Sequence, residues 1–215
     1  MDDFFSTIVR FFQEGGTFMY LILMLFAVGL AIAIERFIYL SAAKNKSRKT
    51  WDGLVPLIQQ GKFDQATKLA ADSKAAIAHM LSYGMARIQE RSQHREEIET
   101  AMEEGLMEVV PRLEKRTHYL ATLANIATLM GLLGTIMGLI QAFTAVASAD
   151  PSQKADLLSS SISVAMNTTA FGLMAAIPLL LMHAFLTTKT TELVDSFEMA
   201  AVKFLNLITK GNNAG

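Results

Sequence analysis

The chain has 215 residues, with 19 Lys and Arg against 20 Asp and Glu, giving a formal net charge of −1. That balance excludes a bulk electrostatic nucleic-acid binder, which needs a basic surface. Charged residues make up only 18% and hydrophobic residues 52%, against roughly 25% charged in soluble domains, and the absence of cysteine excludes a disulfide scaffold.

The charge deficit is concentrated in three runs. There are 20 residues between Glu14 and Glu35, 33 between Arg116 and Asp150, and 32 between Asp156 and Lys189 with no Asp, Glu, Lys or Arg. A helix needs roughly 20 apolar residues to cross hydrocarbon. The expected fold class is therefore an all-α membrane protein with three transmembrane helices.

Residues 1–16 form the first segment. Phe4, Phe5, Ile8, Phe11 and Phe12, interspersed with Asp2, Asp3 and Arg10, suit an amphipathic helix lying on the outer leaflet. This segment lacks a basic n-region and no small-x-small cleavage site follows, so the next run is expected to be a retained span. Span one covers 17–40 and ends in Glu35-Arg36, read as an interface anchor with a snorkelling arginine.

Residues 41–118 are expected to form a helical cytoplasmic domain. Trp51–Gln60 places Leu54, Leu57 and Ile58 on one helical face, with Gly61 as the stop. Asp64 is positioned to cap a second helix carrying Ala66, Leu69 and Ala70. A third, about Ala75–Gln89, carries Ile77, Met80, Leu81 and Met85. From Glu96 to Arg116, the residues Ile98, Met102, Leu106, Val109 and Leu113 make one stripe. No convincing stop precedes span two, so a single long helix is expected, kinked at most by Pro111.

Span two covers 119–148, an outer turn 149–157, span three 158–187, and a C-terminal helix and tail 188–215. Of the Lys and Arg residues, all but Arg10 and Lys154 lie in 36–118 or after span three. The positive-inside rule then places the N-terminus outside and residues 41–118 and the tail in the cytoplasm.

Spans two and three carry small and polar stripes. Ala124, Thr128, Gly131, Thr135, Gly138 and Ala142 recur at steps of three and four, as do Ser161, Ala165, Thr168, Gly172 and Ala175. Small residues let helices approach closely in lipid. Ser159, Ser160, Ser163, Asn167 and Thr169 add further polar groups, yet neither span contains Asp, Glu, Lys or Arg. An ionisable group at mid-bilayer costs at least ~2.5–3.5 kcal/mol and is kept for use. An ion relay here would need its titrating group from a second polypeptide. His79, His94, His118 and His183 show no metal-ligand spacing, with His183 read as interfacial packing, and no Ser/His/Asp or His/Glu constellation points to an enzyme.

Gly131-Leu-Leu-Gly-Thr135-Ile-Met-Gly138-Leu-Ile-Gln-Ala-Phe143, followed by Asn167-Thr-Thr-Ala-Phe-Gly172-Leu-Met-Ala-Ala-Ile-Pro178, resembles the MotA/TolQ/ExbB proton-channel family. The three-span, N-out layout resembles its ExbB/TolQ branch. The resemblance implies a bacterial inner-membrane pentamer around two copies of a single-span ExbD/TolR-like partner, whose membrane helix brings an Asp. Such an assembly couples ion-motive force to periplasmic work, for example by energising a TonB- or TolA-like protein. The implied cofactor set is none, the transported ion being a proton, with sodium as the alternative. No nucleic acid is implied, and lipids are expected as contacts.

Within that resemblance Thr135 and Thr169 match the family's threonines of spans two and three and are expected to face the partner's Asp, where a hydroxyl can donate to a carboxylate or accept from a carboxylic acid. Thr128, Asn167 and Thr168 would supply further oxygens. Gly131, Gly134, Gly138, Ser161, Ala165, Gly172 and Pro178 would pack the pore wall, with Leu132, Leu139, Met166, Phe171 and Leu173 as apolar bulk around the hydroxyls. Two departures matter. Ala127-Thr128 stands where the family usually has Ala-Pro, and Val164 where many members have a glutamate. The alternatives carried forward are a TolQ-like envelope role, a specialised sodium-driven motor and a non-conducting membrane scaffold.

Overall fold

The computed structural model describes residues 16–89 and 94–212. The amphipathic helix expected over Met1–Phe12 lies outside the described residues. Those described are all-helical: α1 Thr17–Gln59, α2 Phe63–Asp72, α3 Ala76–Gln89, α4 Arg95–Glu114, α5 Thr117–Ser148 and α6 Lys154–Asn212. Three stretches, in α1, α5 and α6, are long and apolar enough to cross a membrane. The chain divides into two compact units. One comprises residues up to Ile34 with Arg116–Phe185, the other Glu35–Lys115 with the residues from Leu186 on.

The first unit is built on small residues. Ala124, Ala127, Gly131, Gly134, Gly138 and Ala142 form the buried line of α5, and Ala165, Thr168, Gly172 and Ala175 are buried on α6. Ile22 of α1 joins Ala127 and Ala175 in a core cluster, flanked by Phe26, Met130 and Phe171. Gly29 lets α1 approach α6, since a Cβ there would lie 2.6 Å from Leu179 Cδ2. The opposite surfaces are apolar and exposed, including Tyr20, Met24, Ile34, Leu129, Ile140, Phe143, Ile177 and Leu181. That pattern suits lipid, where apolar side chains gain nothing by avoiding the solvent and packing favours close backbones.

In the second unit the helix expected over Trp51–Gln60 is the end of α1, which runs through without interruption and holds Pro56 inside it. It stops where expected. Gly61 sits at φ +69°, its N–H donating to Ile58 O at 3.0 Å while Lys62 N–H donates to Leu57 O at 2.9 Å. These two bonds satisfy carbonyls orphaned at the helix end, and the left-handed residue between them favours glycine. Asp64 does not cap α2. The N-cap position falls on Lys62, which makes no side-chain cap bond, and Asp64 lies in the first turn, where its charge favours the helix dipole. The third helix starts one residue later than expected, at Ala76, and packs on α4. Met80, Leu81 and Met85 face Ile98, Met102 and Val109 as the buried apolar set.

The single long helix expected to lead into span two is not found. Pro111 is accommodated inside α4, and the break comes at Lys115-Arg116, with Arg116 left-handed at φ +68°. The hydrophobic stripe continues across this point, so no local apolar signal marks it. What stabilises the end of α4 is remote. The Arg36 guanidinium donates to Leu113 O in its last turn, where a cation also complements the negative end of the helix dipole. Arg36 is therefore not a snorkelling anchor. It is only 2% exposed and lies 4.5 Å over the Tyr39 ring. Lys189 of α6 is half-buried, donates to Ser41 Oγ at 2.9 Å and stands 4.1 Å from the Phe37 ring.

Candidate functional site

The polar residues singled out in spans two and three lie on α5 and α6 of the first unit. At Gly131 and Gly172 the backbones of these helices meet directly. A Cβ on Gly131 would lie 3.2 Å from Thr169 Cα and 3.4 Å from Gly172 Cα, and one on Gly172 would lie 2.8 Å from Ala127 O. Because neither glycine has a side chain, the Thr169 hydroxyl reaches across and donates to Gly131 O at 2.8 Å. The contact continues along the helices. A Cβ on Gly134 would meet Thr168 Cγ2 at 2.4 Å, and one on Gly138 would meet Ala165 Cβ at 2.8 Å.

The buried line of α5 differs in two places from the six-residue stripe. Ala127 and Gly134 take the buried positions, while Thr128 is exposed and Thr135 half-buried. Thr168 is 2% exposed. Thr169, Asn167, Ser161 and Pro178 are half-buried. Leu132, Leu139, Met166 and Leu173 are exposed, whereas Phe171 turns inward and flanks the Ile22–Ala127–Ala175 cluster.

Hydrogen bonding narrows what the hydroxyls can do. Thr135 Oγ1 donates to Leu132 O at 2.6 Å, Thr128 Oγ1 to Ala124 O at 3.1 Å and Thr168 Oγ1 to Val164 O at 2.9 Å. With Thr169 on Gly131, all four have committed their proton to a backbone carbonyl. A hydroxyl has one proton and two lone pairs, so in this arrangement each offers acceptor capacity. In this arrangement the Thr135 and Thr169 hydroxyls present lone pairs, while the half-buried Asn167 amide keeps N–H donors of its own.

A second polar cluster, which the sequence reading missed, lies in the second unit between α3 and α4. Glu108 is its centre. One carboxylate oxygen meets His79 Nε2 at 2.8 Å and accepts from Tyr83 OH at 2.8 Å, and the other accepts from Arg112. The donors on Glu108, His79 first and Tyr83 next, hold its carboxyl below the usual range, while the hydrogen bond to Glu108 and its negative charge push the Tyr83 phenol up. The available signal was positional. His79 and Tyr83 are spaced by four on one helix, as are Glu108 and Arg112 on its neighbour, so each pair shares a face. Among the described residues no group of three His, Asp or Glu could hold a metal ion.

A helical protein with three stretches long and apolar enough to cross a membrane, joined by close-packed glycine contacts, is of the multi-pass membrane class. Residues 72–199 match the MotA/TolQ/ExbB proton channel family, and the chain belongs to it. It is 28% identical over 199 residues to an ExbB homolog of Methanothermobacter thermautotrophicus, covering 92% of this chain and 69% of that one. It is also similar to the Tol-Pal system protein TolQ of Haemophilus influenzae, 30% identical over 97 residues, covering 45% of this chain and 42% of that relative. The biopolymer transport protein ExbB of Aquifex aeolicus is 31% identical over 86 residues, covering 40% of this chain and 57% of its own length.

Proposed function

We propose that the chain is the channel subunit of an ion-motive-force-driven motor in the bacterial inner membrane. In this reading five copies, N-terminus outside, surround two helices of an ExbD/TolR-like partner that brings a membrane Asp. The assembly drives work in the periplasm of the biopolymer-transport kind. The observation that carries the reading is the acceptor-only character of Thr135 and Thr169, in spans that contain no carboxylate of their own.

The chemistry follows from that character. A protonated carboxylic acid donates its O–H to the threonine lone pairs, whereas a carboxylate finds no donor among these hydroxyls. Hydrogen bonds to the neutral form raise an acid's pKa. The walls thus favour the partner's Asp in its neutral state while it is inside, and its proton is released where water is reached. A sodium ion bound beside the carboxylate would use the same oxygens as ligands. The proton is the preferred ion, because the ExbB/TolQ-like branch is mostly proton-driven. Val164 means that the path does not run through a glutamate on span three.

The test is ion flux through the complex with its partner. Thr135→Val and Thr169→Val should each abolish or strongly impair coupled flux while leaving assembly intact, since losing a partner for a buried polar group costs ~1–3 kcal/mol. Thr168→Val should have little effect, since Thr168 is buried against Gly134 between the two helices, whereas Thr135 is half-buried. Absence of flux in the complex carrying the parent chain would overturn the reading in favour of a non-conducting scaffold, and flux that survives both pore substitutions would remove Thr135 and Thr169 from the pathway. Loss of flux without sodium at constant pH would replace the proton by sodium.

A further inference from the structure

The second unit contains a cavity of about 450 Å³ in which the proposed ion pathway has no part. Its volume falls within the range of small-molecule sites, roughly 300–1,000 Å³. Tyr39 and Lys46 of α1, Ser73 and Lys74 of the α2–α3 turn, His79 of α3 and Arg112 of α4 line it, and no Asp or Glu does. Arg112 is held by Glu108. Lys46 and Lys74 have no ion pair with a described carboxylate. Two like charges thus face one concavity with no acidic residue in its lining.

The turn that forms one wall is locally fixed. Ser73 Oγ bonds Thr50 Oγ1 at 2.9 Å and accepts from Ala75 N–H at 3.2 Å. This brings the start of the 14-residue helix α3 to the cavity. Of the lining residues Lys46 and Lys74 supply the unpaired positive charge, and an ammonium group recognises phosphate oxygens as a point charge.

We propose that this cavity binds the phosphate group of an anionic ligand, with Lys46 and Lys74 as its charge partners and Ser73 fixing the wall between them. A phosphate monoester carries about −1.5 to −2 charge at neutral pH, which two lysines balance. The phosphate comes either from an anionic lipid headgroup or from a soluble organophosphate. Both present the same chemistry to the cavity.

Hydrogen exchange of residues 73–79 in the full-length protein, reconstituted in vesicles, tests this. One arm compares phosphatidylcholine vesicles with and without phosphatidic acid. The other adds glycerol 3-phosphate to phosphatidylcholine vesicles. Slowed exchange with phosphatidic acid alone identifies a lipid source, and slowed exchange with glycerol 3-phosphate a soluble one. In either case Lys46→Ala with Lys74→Ala should raise the half-saturating concentration at least tenfold. Lys68→Ala, an exposed lysine outside the lining, should leave it unchanged. The proposal is overturned if neither anion slows exchange, or if the protection survives in the double variant.

Discussion

Replacing Gly172 by alanine tests the packing of spans two and three where backbone meets backbone. The new Cβ would lie 2.8 Å from Ala127 O and 3.1 Å from Gly131 Cα, both backbone atoms that cannot rotate away. Reaching an ordinary contact of 3.4 Å means separating the helices by about 0.6 Å. The same movement would stretch the Thr169–Gly131 bond from 2.8 Å toward the limit of a hydrogen bond, where little of its energy remains. Overpacking of this kind costs ~1–3 kcal/mol, and an interhelical hydrogen bond in a membrane adds about 0.6 kcal/mol. A loss of about 2–3 kcal/mol is therefore expected in reversible unfolding of the purified chain in mixed micelles, a shift of more than tenfold in the equilibrium. Gly29→Ala is the matched control. Its Cβ would be closer still, 2.6 Å from Leu179, but that atom is the tip of a side chain, so its cost should be smaller. If Gly172→Ala is as stable as Gly29→Ala, close backbone approach is not what joins these spans, and the placement of Thr169 on Gly131 loses its basis.

The same contrast applies in the second unit. Gly105→Ala meets Met80 Cα at 2.9 Å and should destabilise the α3–α4 pair by ~1–3 kcal/mol, more than Gly84→Ala, whose Cβ meets the flexible Met102 side chain; thermal unfolding ranks the two. At the α4–α5 break, Arg116→Gly should be more stable than Arg116→Ala by about 1–2 kcal/mol, because the left-handed φ of +68° penalises any Cβ. Stability should also depend on pH through Glu108. Its folded pKa lies below its ordinary value, so the unfolded state binds more protons in that interval. The contribution is present above the usual carboxylate range and is lost as pH falls through the depressed value. Thermal melts across that range should show a shallower acid loss for Glu108→Gln than for the parent chain.

Much of the secondary structure was legible because its signals are local. Three long charge-free runs mark the apolar spans, since crossing hydrocarbon depends on length and polarity rather than on neighbours. Gly61 ended its helix as read, the left-handed cap being a property of one residue and its two bonds. The glycine and alanine steps of α5 and α6 announce close packing, with Ala127 and Gly134 in the buried line and Thr128 and Thr135 beside it. A spacing pattern gives the period of a helix but leaves its rotation uncertain by about a residue, and only the facing helix settles that angle.

Other features depended on partners far along the chain. The end of α4 is bound by Arg36, 77 residues from Leu113, so no window around Arg116 could reveal the break. Glu108 is organised by His79 and Tyr83 on another helix, and its depressed pKa exists only once α3 and α4 pack. Thr169 shows the division most clearly. Its sequence neighbourhood supplies a hydroxyl among small residues, but tertiary structure brings Gly131 O to 2.8 Å across 38 residues. That contact commits the proton and leaves the lone pairs, turning a side chain able to donate or accept into an acceptor. Composition and periodicity determine which groups a membrane helix carries; the approach of a second helix decides which of their hydrogen-bonding valences remain for an ion.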